Sequence, residues 1–98
     1  MGLFGSKKEK AMPKVTDIFS AQDLEKIGAI VGPKQAAKGY GKYGALAATL
    51  MEVVQNPDKD YSKKEWGGII YSAGAFTKLE PELAPMLKEA IAKYKKFK

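Results

Sequence analysis

Residues 63–78 read KKEWGGIIYSAGAFTK, and from Trp66 to Thr77 the chain carries no charge. Apolar and small side chains fall nearly all round a helical wheel over this stretch, as expected of a helix in the buried middle of a domain. Its three glycines, Gly67, Gly68 and Gly74, each cost about 0.5–1 kcal/mol relative to Ala inside a helix. They are expected to allow tight packing or to mark a local distortion. The β-leaning run Gly68–Tyr71 makes a short strand the competing reading. The residues just upstream, YSKKEW (61–66), favour a helix start: Ser62 and Glu65 have the spacing of a capping box, and Tyr61 can staple onto Trp66.

Working outward, NPDKD (56–60) is a turn by its Asn-Pro and Asp content. Before it, Ala36, Tyr40, Tyr43, Ala47, Leu50 and Val54 follow the 4, 3, 4, 3, 4 spacing of a helix packed along its length, which predicts a helix from Pro33 to about Gln55. A neighbouring stripe, Gly41, Gly44, Ala48 and Met51, is mostly small, so a partner helix could approach closely along it. Further upstream, FSAQDL (19–24) repeats the scheme of YSKKEW at an offset of 42 residues, with Ser20 and Asp23 in place of Ser62 and Glu65. A helix is expected to start there, bury Leu24, Ile27 and Val31, and stop at Gly32-Pro33. The last helix is expected from about Glu82 to Phe97, introduced by Pro81. The fold class is therefore all-α: a compact four-helix bundle of two helical hairpins over residues 15–98, with a flexible basic arm over residues 1–14.

The 98 residues contain no Cys, no His and no Arg. Thiol chemistry, thiolate metal sites and the usual general base near neutral pH are therefore absent, and base-specific nucleic-acid readout loses its bidentate cation. Ser20 and Ser62 are used as caps, and Ser72 has no base in view, so no catalytic, cofactor or metal residue is assigned and the chain is not expected to be an enzyme. GYGKYG (39–44) matches a dinucleotide-binding pattern but lacks the preceding strand. Asn56, Asp58, Asp60, Ser62 and Glu65 resemble part of a calcium-binding EF-hand loop, yet Val54 stands at its first ligand position and Lys59 where the loop requires Gly.

The formal charge of +6 lies at the ends. Residues 1–14 hold four Lys against one Glu, residues 93–98 hold four Lys, and the middle is close to neutral. That distribution suits contact with an anionic surface through Lys7, Lys8, Lys10, Lys93, Lys95, Lys96 and Lys98, rather than a basic groove. Met1, Gly2 and Ser6 match the N-myristoylation pattern, making Gly2 the candidate lipidation site, with the following lysines as the second anchoring signal. No stretch is long enough to span a membrane and no secretory signal is seen, so an intracellular location is expected. The expected function is a non-catalytic helical adaptor or structural subunit, of a virion or a membrane-associated assembly. It would dock on a protein partner or a second copy through an apolar or small-residue face, with Gly41, Gly44 and Ala48 as the packing seam. No small-molecule substrate is expected. The alternative is a sequence-independent nucleic-acid-binding protein.

Overall fold

A computed structural model describes residues 12–97. It contains five α-helices: α1 (Val15–Ile18), α2 (Ala21–Ala36), α3 (Gly44–Gln55), α4 (Lys63–Leu79) and α5 (Ala84–Lys95), with 3-10 turns at Gly41–Tyr43 and Pro81–Leu83. No strand occurs among the described residues, so the stretch Gly68–Tyr71 is helical. Capping decides it. The Ser62 hydroxyl accepts the Glu65 N–H at 3.1 Å and the Glu65 carboxylate accepts the Ser62 N–H at 2.9 Å. Ser20 and Asp23 make the same reciprocal pair, both bonds at 3.0 Å.

The repeated cap introduces a repeated layout. In each half a long helix (16 residues in α2, 17 in α4) leads to a three-residue 3-10 turn and then a 12-residue helix. α2 packs on α3 and α4 on α5, making two hairpins, and α3 packs on α4 to join them. The short α1, which the periodicity did not reveal, packs on α5. The molecule measures 51 × 22 × 21 Å. A single core runs through it, with Phe19, Trp66 and Phe76 as its largest fully buried side chains.

Two expected boundaries move. α2 does not stop at Gly32-Pro33 but continues to Ala36. Pro33 and Ala29, four residues apart, are both exposed, so the Ala29 carbonyl that loses its helical partner can turn to water. The break falls at 37–43 instead. There the Lys38 N–H bonds the Gln35 carbonyl at 2.9 Å and the Gly39 N–H bonds the Lys34 carbonyl at 2.8 Å, while Lys38 takes φ +59°. This is a Schellman ending with lysine where glycine is usual. Glycine is needed one residue later: a Cβ on Gly39 would lie 2.7 Å from Lys34 Cγ and 3.1 Å from the Lys34 carbonyl oxygen. At the other boundary, Met12 packs against the core and Pro13 is buried, so the packed chain begins before residue 15. The rest of the expected arm, residues 1–11, lies outside the described residues.

Candidate interaction surfaces

Three aromatic rings bring distant parts of the chain together at one end of α4. Trp66, in its first turns, stacks on Tyr94 near the end of α5 with centroids 5.4 Å apart, and Tyr61 meets Trp66 edge-on at 6.0 Å. The chain preceding α1 arrives at the same end, since Lys14 Nζ lies 3.6 Å from Asp60, one residue before Tyr61. Both ends of the described chain therefore converge on the N-terminal end of α4. Of the anionic-surface candidates, Lys95 and Lys96 are exposed there and Lys93 is half-buried. Gly2, Lys7, Lys8, Lys10 and Lys98 lie outside the described residues.

The carboxylates at this end are mostly engaged within the chain. Asp60 is paired with Lys14, Glu52 with Lys59 at 2.8 Å, Asp17 accepts the Lys14 N–H at 2.9 Å, and Glu65 serves the cap. The backbone N–H of Ser62 is the main reason the Glu65 carboxyl sits below its ordinary value, with the Ser62 hydroxyl helping. The hydrogen bond to Glu52 raises Lys59, and the Tyr61 phenol is raised first by burial and then by the Glu52 charge. Four of the five EF-hand-like residues are also occupied in local structure: Asn56 Nδ2 bonds the Glu52 carbonyl at 3.0 Å, Asp60 pairs with Lys14, and Ser62 and Glu65 form the cap. No group of three or more Asp or Glu placed to hold a metal occurs among the described residues.

At the opposite end, α2 is latched to the end of α4. The Tyr40 hydroxyl donates to Glu80 Oε2 at 2.7 Å, Lys34 Nζ lies 3.4 Å from the same oxygen and 5.0 Å from the Tyr40 ring centroid, and Tyr40 packs edge-on against Phe76. Burial, and then the bond to Glu80, raise the Tyr40 phenol well above its ordinary value. GYGKYG therefore forms the turn between two helices, with α2 and not a strand before it.

The small-residue seam is not where the spacing places it. Gly41 and Ala48 are exposed, and a Cβ on Gly41 or Gly44 would meet nothing within 4 Å, so no helix among the described residues lies close against Gly41 or Gly44. Close approach occurs instead at α2. A Cβ on Gly28 would lie 3.3 Å from Val54 Cγ1, and one on Gly32 3.4 Å from Met51 Cε.

The outer face of α4 corrects another expectation. α3, α5 and the 3-10 turn at Pro81–Leu83 pack against α4, and the side that carries Tyr71 is open. Tyr71 is 71% exposed there, Gly67 and Gly68 are exposed, and added Cβ atoms at Gly67, Gly68 and Gly74 would meet nothing within 4 Å. Lys64 and Lys78, seven residues to either side of Tyr71, are also exposed. The uncharged run hid this face from sequence reading. A signal was present all the same: tyrosine with glycine one turn before it, between lysines at ±7, marks an open side.

No helix among the described residues is long and apolar enough to cross a membrane. The class defined by these observations is an all-helical protein of two hairpins with an open helix face and lysine-bearing ends. Comparison with protein-family models, curated proteins and solved structures finds no match to this chain.

Proposed function

We propose that the two hairpins form one four-helix bundle that serves as a non-catalytic adaptor or structural subunit of a virion or membrane-associated assembly. It docks on a protein partner through the open face of α4, while its lysine-rich ends meet an anionic surface. The observation that carries this reading is Tyr71, a large aromatic residue 71% exposed beside two glycines with no packing reason of their own inside the chain. Flat, side-chain-poor helix faces let a second backbone approach closely, and an exposed aromatic next to them supplies anchoring area. Exposed Gly41 in the turn before α3, with half-buried Gly44 and exposed Ala48 on α3, adds a second small-residue face available for docking.

The reading is tested by isolating the native assembly from its source and repeating the isolation with Tyr71→Glu and Gly68→Leu. Retention of a stoichiometric partner by the wild type and its loss from both variants, with helicity unchanged, supports the reading. Full retention by both variants removes α4 as the docking face. If the chain instead comes away with RNA or DNA, at a yield that falls steeply with salt, sequence-independent nucleic-acid binding replaces the adaptor reading.

A further inference from the structure

We propose that the occupant of the open α4 face is a second copy of this chain, paired antiparallel about a two-fold axis between Gly67 and Gly68, with Tyr71 of each copy against Lys64 of the other. The inference rests on the reading that α4 docks, and adds to it which molecule docks there and in what register. Tyr71 is the starting point. Among the described residues, Lys34 lies over the Tyr40 ring at 5.0 Å, Lys42 over Tyr43 at 5.4 Å and Lys59 over Tyr61 at 5.1 Å, while Tyr94 stacks on Trp66. Tyr71, 71% exposed, is the one tyrosine of the five with neither a lysine nor a ring against it among the described residues.

The spacing on α4 supplies that missing contact across a two-fold axis. Lys64, Gly67, Gly68 and Tyr71 share one face of the helix, and all four are exposed. An isologous antiparallel pair sets residue i against residue j and j against i. With the axis midway between positions 67 and 68, Lys64 meets Tyr71 of the second copy and Gly67 meets Gly68. The closest point of the crossing then falls where an added Cβ would meet nothing within 4 Å of its own chain. Two glycines there let the backbones approach and bring the Lys64 ammonium onto the Tyr71 ring. Gly74 and Ala75, the other small pair on this face, are half-buried, so the crossing belongs at the exposed pair.

The charges of α4, which are Lys63, Lys64, Glu65 and Lys78, agree with this register. The two copies of Lys64 stand about 10 Å apart along the axis, roughly one screening length at physiological salt. Lys78 reaches past Lys63, the first residue of the second copy's α4, toward its turn 56–60, where Asp58 has no ion pair among the described residues. Other symmetric arrangements oppose like charges: a pairing centred on Tyr71 sets Lys64 against Lys78, and a parallel one sets each lysine against itself. The first hairpin shows an ordinary solvent face for comparison. Glu25, Lys26 and Ala29 stand 42 residues before Gly67, Gly68 and Tyr71, and all three are exposed.

The test is sedimentation equilibrium of the full chain at about 0.15 M salt, where a Debye length of about 8 Å screens the net +6 of each copy. A single helix pair buries less than a permanent dimer needs, so the wild type is expected to pass from monomer to dimer as its concentration rises toward millimolar. Tyr71→Ala and Lys64→Gln should each weaken association roughly fivefold to thirtyfold, because the axis repeats every contact twice, and Lys26→Gln on α2 should not. Nitroxides at Thr77→Cys in the two copies should lie about 30 Å apart. Labels close enough to broaden each other's spectra would place the crossing elsewhere and overturn the pairing. A monomer at every concentration, or a dimer that Tyr71→Ala and Lys64→Gln leave intact, overturns it too. If the native assembly then still loses its partner with Tyr71→Glu and Gly68→Leu, the occupant of α4 is another protein and the docking reading stands; if it keeps the partner, both fall.

Discussion

Trp66 and Tyr94 stack with centroids 5.4 Å apart and their planes inclined by 28°, joining the first turns of α4 to the last turns of α5. Both rings are buried, and they close the loop between parts of the chain that lie 28 residues apart in sequence. Tyr94→Ala removes the stack and leaves a ring-sized cavity beside Trp66. It is expected to destabilise the fold by about 3–5 kcal/mol, as aromatic truncations in cores do. Chemical denaturation measures this. A loss under about 1 kcal/mol would show that the two helices are held by other contacts.

The caps set a pH dependence. The Glu65 carboxyl lies below its ordinary value of 4.5 because it accepts the Ser62 N–H in the folded chain. A group depressed by folding stabilises above its unfolded pKa and loses that contribution as the pH falls through the lower folded value. Stability should therefore fall below about pH 4.5, and Glu65→Gln should flatten that part of the profile. Ser62→Ala removes the reciprocal bond and should cost about 1 kcal/mol at neutral pH.

At alkaline pH the latch between Tyr40 and Glu80 takes over. Burial and the bond to Glu80 raise the Tyr40 phenol above its ordinary 10.0, so the folded chain holds that proton more tightly than the unfolded chain does. The contribution is complete below pH 10 and is lost as the pH rises toward the folded value. Ultraviolet titration should show tyrosines ionising late, and Tyr40→Phe should remove one of those late steps, leaving that of Tyr61, and lessen the alkaline loss of stability. An ordinary titration of every tyrosine would contradict the latch.

Glycine is present where folding does not need it and missing where it would help. Gly68 is exposed inside α4 with nothing within 4 Å of an added Cβ, so Gly68→Ala should stabilise by about 0.5–1 kcal/mol. Lys38 holds φ +59° at the end of α2, and Lys38→Gly should stabilise by about 1 kcal/mol. Thermal unfolding checks both. Under the adaptor reading Gly68→Leu weakens docking, which would explain a glycine kept at a cost in stability.

The parts of the fold legible in the sequence are those set by local chemistry. Ser20 with Asp23, and Ser62 with Glu65, announce α2 and α4 because reciprocal capping needs only residues three apart. The break after Ala36 was hidden because Pro33 is the stronger breaker on paper, and only the exposed setting of Ala29 and Pro33 lets α2 pass it. The short α1 has a single turn and shows no periodicity. The open face of α4 was hidden for a different reason: which sides of an uncharged helix are covered depends on where α3 and α5 pack, and glycine looks the same whether it admits a neighbour or faces solvent. The convergence of the two ends of the described chain depends on Lys14 with Asp60 and Trp66 with Tyr94, tertiary pairs that no spacing rule anticipates.

That convergence is open to a direct measurement, because the chain has no cysteine and paired nitroxide labels can be introduced cleanly. With labels at Thr16→Cys and Lys95→Cys, and separately at Lys42→Cys and Lys95→Cys, pulsed dipolar spectroscopy gives both distances. The account predicts that the first pair, 79 positions apart in sequence, lies closer together than the second, 53 apart, because Thr16 and Lys95 share the end of α4 that Lys42 does not. Equal distances, or a shorter one for Lys42 and Lys95, would contradict it.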